Sequence, residues 1–465
     1  MSTTDVTAVS PGRTLATPGG EILTPEDPRY DEARLAWNLA VDQRPAAVAF
    51  PASAPDVAAV VQLAAERGWQ VAPQGTGHNA GPLGPLDQTI LLKTERMREI
   101  NIDAHRRMAR VEAGVLWIEL VQAASAHGLA GLVGSAADVG VVGYTLGGGC
   151  SLIGRKFGLC ANSVRAIEVV TADGRLVRCD QRHDRDLFWA LRGGGGSLGI
   201  VTALELELLP LQRAYAGALF YPIERGGEVL HAWRDLTADR SLPDELTTMG
   251  RFLRLPPDPD LPEQLRGRSF AVVHVYHVGE LAVADELLAP LRALGPHMDT
   301  IQSVPIQELT QLHMDPPHPV PAAAGGLLLA ELPPNAVDAF VEIASEDSDL
   351  ALLSIELRHL GGQLGRPDPS GGALAAIDAE YWMFAAGMVP AQEMETHVRA
   401  QVRAVQAALG PWAARRMYLN IAESRTDSAN FWDESSYQRL RRIKTSVDPQ
   451  DLIRANHPIP TMSRR

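Results

Sequence analysis

Cysteine is scarce in this chain: three among 465 residues, Cys150, Cys160 and Cys179. So small and odd a number builds no disulfide framework, and each reads as a small buried hydrophobe in a protein of a reducing compartment. Basic charge is short as well, 42 Lys and Arg against 56 Asp and Glu, a formal −14, with no Lys/Arg-rich run. A surface that binds phosphates needs a basic patch, so nucleic acid and anionic membranes are excluded as partners. Long hydrophobic runs are missing too. Residues 1–24 are rich in Ser, Thr, Gly and Pro, with neither a signal-peptide core nor a membrane span. Residues 1–25 are therefore expected to be a disordered lead into a cytoplasmic protein. Metal-ligand spacing is also lacking: His313 and His318 flank a Met-Asp-Pro-Pro loop and read as surface residues.

What the chain has is glycine, concentrated in three places. The first follows a short apolar strand: Val71-Ala72-Pro73-Gln74-Gly75-Thr76-Gly77-His78-Asn79-Ala80-Gly81. Glycines here let main-chain N–H groups approach a phosphate or polar ring, because no Cβ intervenes and positive φ costs little. Gly75, Gly77 and Ala80 formally satisfy a G-x-G-x-x-A dinucleotide fingerprint, which works only where a helix opens directly afterwards. Gly81-Pro82-Leu83-Gly84-Pro85 follows instead, which breaks a helix. The second cluster runs from Gly131 to Gly149, and the third is Arg192-Gly193-Gly194-Gly195-Gly196-Ser197-Leu198-Gly199. Three such segments within about 130 residues exceed what turns require, and a flat, extended ligand against bare backbone accounts for them.

Around these loops the periodicity alternates. Helices are predicted over 54–68 and 115–127, and strands over 70–72, 90–92, 108–113, 164–171 and 201–208, which is an α/β arrangement. From about 215 to 409, strands at 246–253, 269–276, 327–331, 352–357 and 381–385 mix with helices at 284–294, 335–344 and 392–409. Met394, Val398, Val402 and Val405 give the last helix one apolar face. Two Pro-rich stretches, 255–262 and 315–321, are loops, read as the rim of a pocket.

His78 in its G-x-G-H turn, Gly143 to Gly149 followed by Arg155-Lys156-Phe157-Gly158-Leu159, Glu168 to Gly174, and Arg192 with four glycines resemble the FAD-linked oxidases of the vanillyl-alcohol-oxidase superfamily. The berberine-bridge-enzyme-like branch is the part resembled. The likeness covers about 30–210 and resumes at Tyr418-Leu419-Asn420, Tyr437-Gln438-Arg439-Leu440, Lys444, Asp448-Pro449, Leu452 and Asn456. It implies an α+β protein: a two-subdomain FAD-binding domain of the PCMH type (26–210), a substrate domain with an antiparallel sheet backed by helices (211–410), and a C-terminal segment (411–465) returning to the first.

The resemblance further implies that His78 is joined covalently to the 8α-methyl of FAD, a bond a neutral imidazole can make as nucleophile. Relatives add a second link through a cysteine at the position of Ala136, so a single link is expected. Cofactor contacts are implied for Gln74, Gly75, Thr76, Gly77, His78, Asn79, Gly134, Ser135, Val139, Gly140, Val142, Gly143, Gly148, Gly149, Asn162, Gly199, Ile200, Val201, Tyr418, Asn420 and Asn456. Where relatives carry Asp-Asn this chain has Asn162-Ser163, which loses a charge. Val141 occupies the position that governs access of dioxygen. Tyr418 is the leading candidate for proton removal, on a strand beside the flavin, its pKa lowered by a cation such as Arg358. Tyr144 and Tyr381 are weaker candidates, while Glu356 and Arg358, two apart on one strand, read as a mutual pair. A glutamate base known in relatives falls at Ala422, and Glu423 faces the other way. The expected activity is oxidation of a small alcohol, amine or secondary-metabolite intermediate with dioxygen as acceptor, by a monomer or homodimer. A flavin dehydrogenase and a flavin-binding protein without turnover remain the alternatives.

Overall fold

In a computed structural model, residues 20–259, 261–345 and 350–462 are described, and they form three sheets. The first is small and mixed: β1 (Glu21–Leu23), β2 (Ala47–Phe50), β3 (Gln70–Gln74) and β4 (Thr89–Lys93), in the order β1-β2-β4-β3. β4 runs parallel to β2 and β3, and β1 is antiparallel to β2. Part of the expected lead is thus a strand. Ile22 and Leu23 are buried, and that apolar pair draws 21–23 into the sheet. Residues 1–19 lie outside the described residues.

The helix Ala54–Arg67 crosses from β2 to β3. Its N-cap Ser53 accepts from the Asp56 N–H, and Gly68 ends it at φ 67°, where a Cβ would be strained. Val57, Val60, Val61 and Ala64 face the sheet and are fully buried. This crossover delivers the chain to β3 and on into the His78 loop.

The second sheet, antiparallel, is β5 (Ile100–Asp103), β6 (Met108–Glu112), β7 (Val164–Val170), β8 (Leu176–Asp180) and β9 (Ile200–Glu207), ordered β5-β6-β9-β7-β8. The third is β10 (Arg213–Pro222), β11 (Leu246–Arg254), β12 (Ser269–His277), β13 (Met298–Asp299), β14 (Gln302–Pro305), β15 (Ala322–Leu329), β16 (Leu352–His359) and β17 (Tyr381–Met388). Its order is β13-β10-β12-β11-β16-β17-β15, with β14 also on β10, and every pairing is antiparallel.

Alternation along the strands of the third sheet separates two faces. Ile355, Leu357, Met383, Ala385, Phe252, Val273 and Val275 pack into one core with Trp233, Phe340, Val398, Val402 and Val405 of the backing helices. The opposite face carries Arg251, His274, Glu356, Arg358 and Trp382, all buried. Register aligns them: Met249 pairs with His274 and with Arg358, Arg358 with Trp382, and Arg251 with Glu356. The chain's end returns to the first sheet. Val71 N–H donates to Leu452 C=O and Arg454 N–H to Val71 C=O, while buried Lys444 holds Asp448 at 2.6 Å and the carbonyls of Ser197 and Ile453 at 3.0 Å.

Candidate functional site

β3 ends at Gln74, and residues 75–79 turn away from the sheet with N–H groups that donate to no acceptor among the described residues. Gly77, at φ 85°, packs on Ala36, and at Gly75 nothing lies within 4 Å of where a Cβ would stand. His78 sits in this turn with its ring stacked on Trp37, centroids 4.0 Å apart and planes 18° apart. Its Nδ1 is 2.7 Å from Thr76 Oγ1. Its Nε2 is 3.3 Å from Asp138 Oδ1 but not aligned on it, and has no hydrogen-bond partner. Trp37 Nε1 donates to the other Asp138 oxygen at 2.5 Å.

The second glycine cluster lies across from this loop. Gly140 caps the short helix Val141–Leu146, and the nearest atom to its would-be Cβ is Thr76 Cγ2 at 4.0 Å. Gly143 has open space beside it. Gly134 packs on Tyr144, Gly148 on Leu374 and Tyr418, Gly149 on Cys160 and Tyr144, and Gly199 on Val169. The tightness at those four comes from neighbouring protein atoms. Val139 C=O accepts from Trp117 N–H, Val141 and Val142 are buried, and Ile200 and Val201 pair with Val170 and Val169 inside the second sheet.

Two asparagines of the closing segment tie the loops together. Asn456 Nδ2 donates to Asn79 Oδ1 at 3.1 Å, and Asn79 Nδ2 donates to Ala422 C=O at 3.2 Å. Asn420 Nδ2 donates to Tyr144 C=O at 3.0 Å and to Tyr418 Oη at 3.2 Å. Tyr418 Oη also accepts from Cys150 N–H at 3.1 Å. Alternation predicts a strand here, but Asn420 lies on a 3-10 turn, Leu419–Ile421, and Tyr418 is the extended residue that caps it, so their meeting comes from the turn.

The proposed activation of Tyr418 by Arg358 is not what the geometry provides. Burial pushes the Tyr418 phenol well above its ordinary value, and the N–H donors at its oxygen only partly oppose that. Arg358 is engaged elsewhere, 3.1 Å from Glu356 and stacked 4.5 Å over the Trp382 ring. The hydroxyls of the other two tyrosines are each engaged by protein atoms. Tyr144 donates its hydroxyl to Leu132 C=O and packs edge-on against Trp117. Tyr381 points to the helix side of the third sheet, its hydroxyl on Thr237 Oγ1 at 2.9 Å. Alternation explains the latter: Trp382, one residue on, takes the other face and stacks on Tyr418.

Sequence reading missed a buried polar cluster on that face. His313, expected at the surface, is 5% exposed, with Nδ1 2.7 Å from Asp315 and Nε2 2.7 Å from Glu356. Glu356 also receives Arg358 and, at 3.4 Å, Trp382 Nε1, and Arg251 bonds Ser354 and the His313 carbonyl. Burial opposes every charge here. Even so, Arg358 and His313 hold the Glu356 carboxyl well below the usual range, and Asp315 and Glu356 raise the His313 imidazole. Against its burial, His313 and Arg251 hold the Asp315 carboxyl well below its ordinary value, with Ser135 of the second glycine segment adding to the effect. Among the described residues no group of three or more His, Cys, Asp or Glu side chains is placed to hold a metal ion. The expected Glu356–Arg358 pair does form; its further partners come from a loop 43 residues away, beyond the reach of local pattern.

The loops fit an extended cofactor. Gln74 Oε1, His78 Nε2 and Asn162 Oδ1 are buried atoms without a partner among the described residues. Leaving such an atom unsatisfied costs about 1–3 kcal/mol, which a ligand's polar edge would offset.

Comparison with known proteins agrees. Residues 45–180 match the FAD binding domain family, and residues 417–460 match the family described as berberine and berberine like. The chain is 28% identical to (R)-6-hydroxynicotine oxidase of Paenarthrobacter nicotinovorans, over 96% of this chain and 98% of that one. It is 33% identical to the FAD-linked oxidoreductase pynB of Aspergillus niger over 40% of this chain and 35% of that one. Its fold matches 6-hydroxy-D-nicotine oxidase of Arthrobacter nicotinovorans, with a TM-score of 0.80, 25% identity and coverage of 94% and 98%. Berberine bridge enzyme of Eschscholzia californica also has a TM-score of 0.80, at 19% identity and coverage of 96% and 97%. The chain is an enzyme, similar over nearly its whole length to FAD-linked oxidoreductases, with an FAD binding domain and a closing segment that matches the berberine and berberine-like family.

Proposed function

We propose that this enzyme is an oxidase whose FAD is attached through His78 alone, and that it oxidises a small alcohol, amine or secondary-metabolite intermediate while dioxygen becomes hydrogen peroxide. The observation that carries the reading is His78 itself, held in a glycine turn with its ring stacked on Trp37, its Nδ1 beside Thr76 and its Nε2 beside Asp138. Ala136, where relatives bear a second attachment, has no nucleophile.

When bound, FAD supplies a two-electron acceptor. The chain's own groups do the rest. Residues 74–79, 134–143, 162, 420 and 456 hold the cofactor, and Tyr418 and Trp382 form a stacked wall 5.7 Å between ring centroids. The Glu356–His313–Asp315 cluster orients the substrate and takes its proton, the task first sought in Tyr418. Its ionised Glu356 carboxylate, 2.7 Å from His313 Nε2, is the acceptor offered to that proton. Three cysteines free and buried suit a protein of a reducing compartment.

Acid precipitation of the purified protein tests the attachment: a yellow pellet is expected, and a colourless one for His78→Ala. Oxygen uptake by the substrate-reduced enzyme tests the oxidase reading. Reoxidation slower than turnover would identify a dehydrogenase instead.

A further inference from the structure

Asp138 joins the first and second glycine segments through its carboxylate. It sits in the loop before the helix Val141–Leu146, its carboxylate shared between two aromatic side chains from distant parts of the chain. One oxygen accepts the Trp37 indole N–H at 2.5 Å, and the other lies 3.3 Å from His78 Nε2. The same indole is stacked on the His78 imidazole at 4.0 Å. Trp37 thus fixes both the carboxylate and the plane of the ring it faces. Both groups are four-fifths shielded from solvent, with side chains 22% (His78) and 19% (Asp138) exposed.

We infer that Asp138, oriented by Trp37, is the positioning residue that draws the proton from His78 during covalent attachment of FAD. The inference rests on the attachment proposed above and adds the group that promotes it. Bond formation breaks one C–H of the cofactor's ring methyl and the imidazole N–H, and forms one C–N bond. Two electrons and two protons remain with the ring system, and dioxygen removes them as hydrogen peroxide. The imidazole proton needs an acceptor on the way, because a neutral ring that keeps it acquires a positive charge as the bond forms. Asp138 faces that ring as a ready anion. Burial opposes its charge, but His78 and then Trp37 outweigh it and hold its pKa below the ordinary value. As Nε2 gives its proton to Asp138, the C–N bond forms at the other ring nitrogen, Nδ1, which Thr76 Oγ1 positions at 2.7 Å.

The test compares wild type, Asp138→Asn, Asp138→Glu and Trp37→Phe, each expressed with FAD and split by acid precipitation into covalent and released flavin, with intact mass as a second readout. Covalent attachment is expected to fall on the order of a hundredfold in rate for Asp138→Asn, so that the flavin leaves in the supernatant. Asp138→Glu should recover part of it, and Trp37→Phe should fall between. Unchanged covalent flavin in Asp138→Asn beside a yellow wild-type pellet overturns this inference and leaves the attachment standing. A colourless wild-type pellet overturns both. Should Asp138→Asn fail to fold, Trp37→Phe decides alone: wild-type attachment without the indole N–H overturns the role given to the pair.

Discussion

Lys444 shows how much a single side chain carries. Its side chain is 1% exposed, as is that of Asp448, and the ammonium bridges the third glycine cluster, the last helix and the closing segment. Lys444→Met strands a buried carboxylate that still accepts the Leu452 and Ile453 N–H groups, and the expected loss is about 3–5 kcal/mol, read by urea denaturation. A loss under 1 kcal/mol would show that the pair is better hydrated than its burial states. Tyr418→Phe is milder. It takes the acceptor from the Cys150 N–H and the Asn420 amide, and about 1–3 kcal/mol should go with it. Substrate oxidation should survive in that variant if the Glu356 cluster handles the proton, and vanish if the phenol does. His78 was legible in the sequence because glycine, proline and histidine stand together in eleven residues. His313 was not, since its partner Glu356 reaches it from a strand 43 residues away, and a histidine between prolines looks exposed in one dimension.

Among elements, the helix Glu434–Val447 is anchored by its cap. Asp433 accepts the Ser436 N–H at 3.0 Å, and although burial works against its charge, Ser435 and Ser436 hold its pKa down to about 2. A carboxyl lowered from 3.8 gives stability that is fully present above about pH 4 and is lost as pH falls toward 2. Asp433→Ala should cost about 1 kcal/mol at neutral pH, and its thermal midpoint should converge on that of the wild type as the buffer is acidified through that window. A gap independent of pH would contradict the charged cap. Helices and central strands were readable because their apolar spacing runs long: 54–67, 392–409, 246–254 and 269–277 lie within a few residues of their predicted bounds. β1 and the short β13 and β14 were not, being too brief to show a period. Tyr418 to Asn420 misled for a related reason, as three alternating residues cannot distinguish a strand from a 3-10 turn.

At the scale of the molecule, cofactor and fold are linked. In His78→Ala, FAD held only by the cradle should stabilise by mass action, about 2.7 kcal/mol at a hundred times its Kd, so the thermal midpoint rises with added FAD. The wild type, with cofactor attached, should show no such rise. A wild-type midpoint that climbs with FAD as steeply as the variant's would speak against attachment.

The contact between Asn456 and Asn79 spans 377 residues, and the ladder from Val71 to Leu452 and Arg454 spans slightly more. During synthesis, the histidine loop therefore leaves the ribosome long before the residues that close on it. A nascent chain has β3 and its turn but no finished cradle, and flavin uptake is confined to the released protein. A premature stop in the last helix would leave His78, Asp138 and every glycine in place, and yet yield a chain without a yellow cofactor.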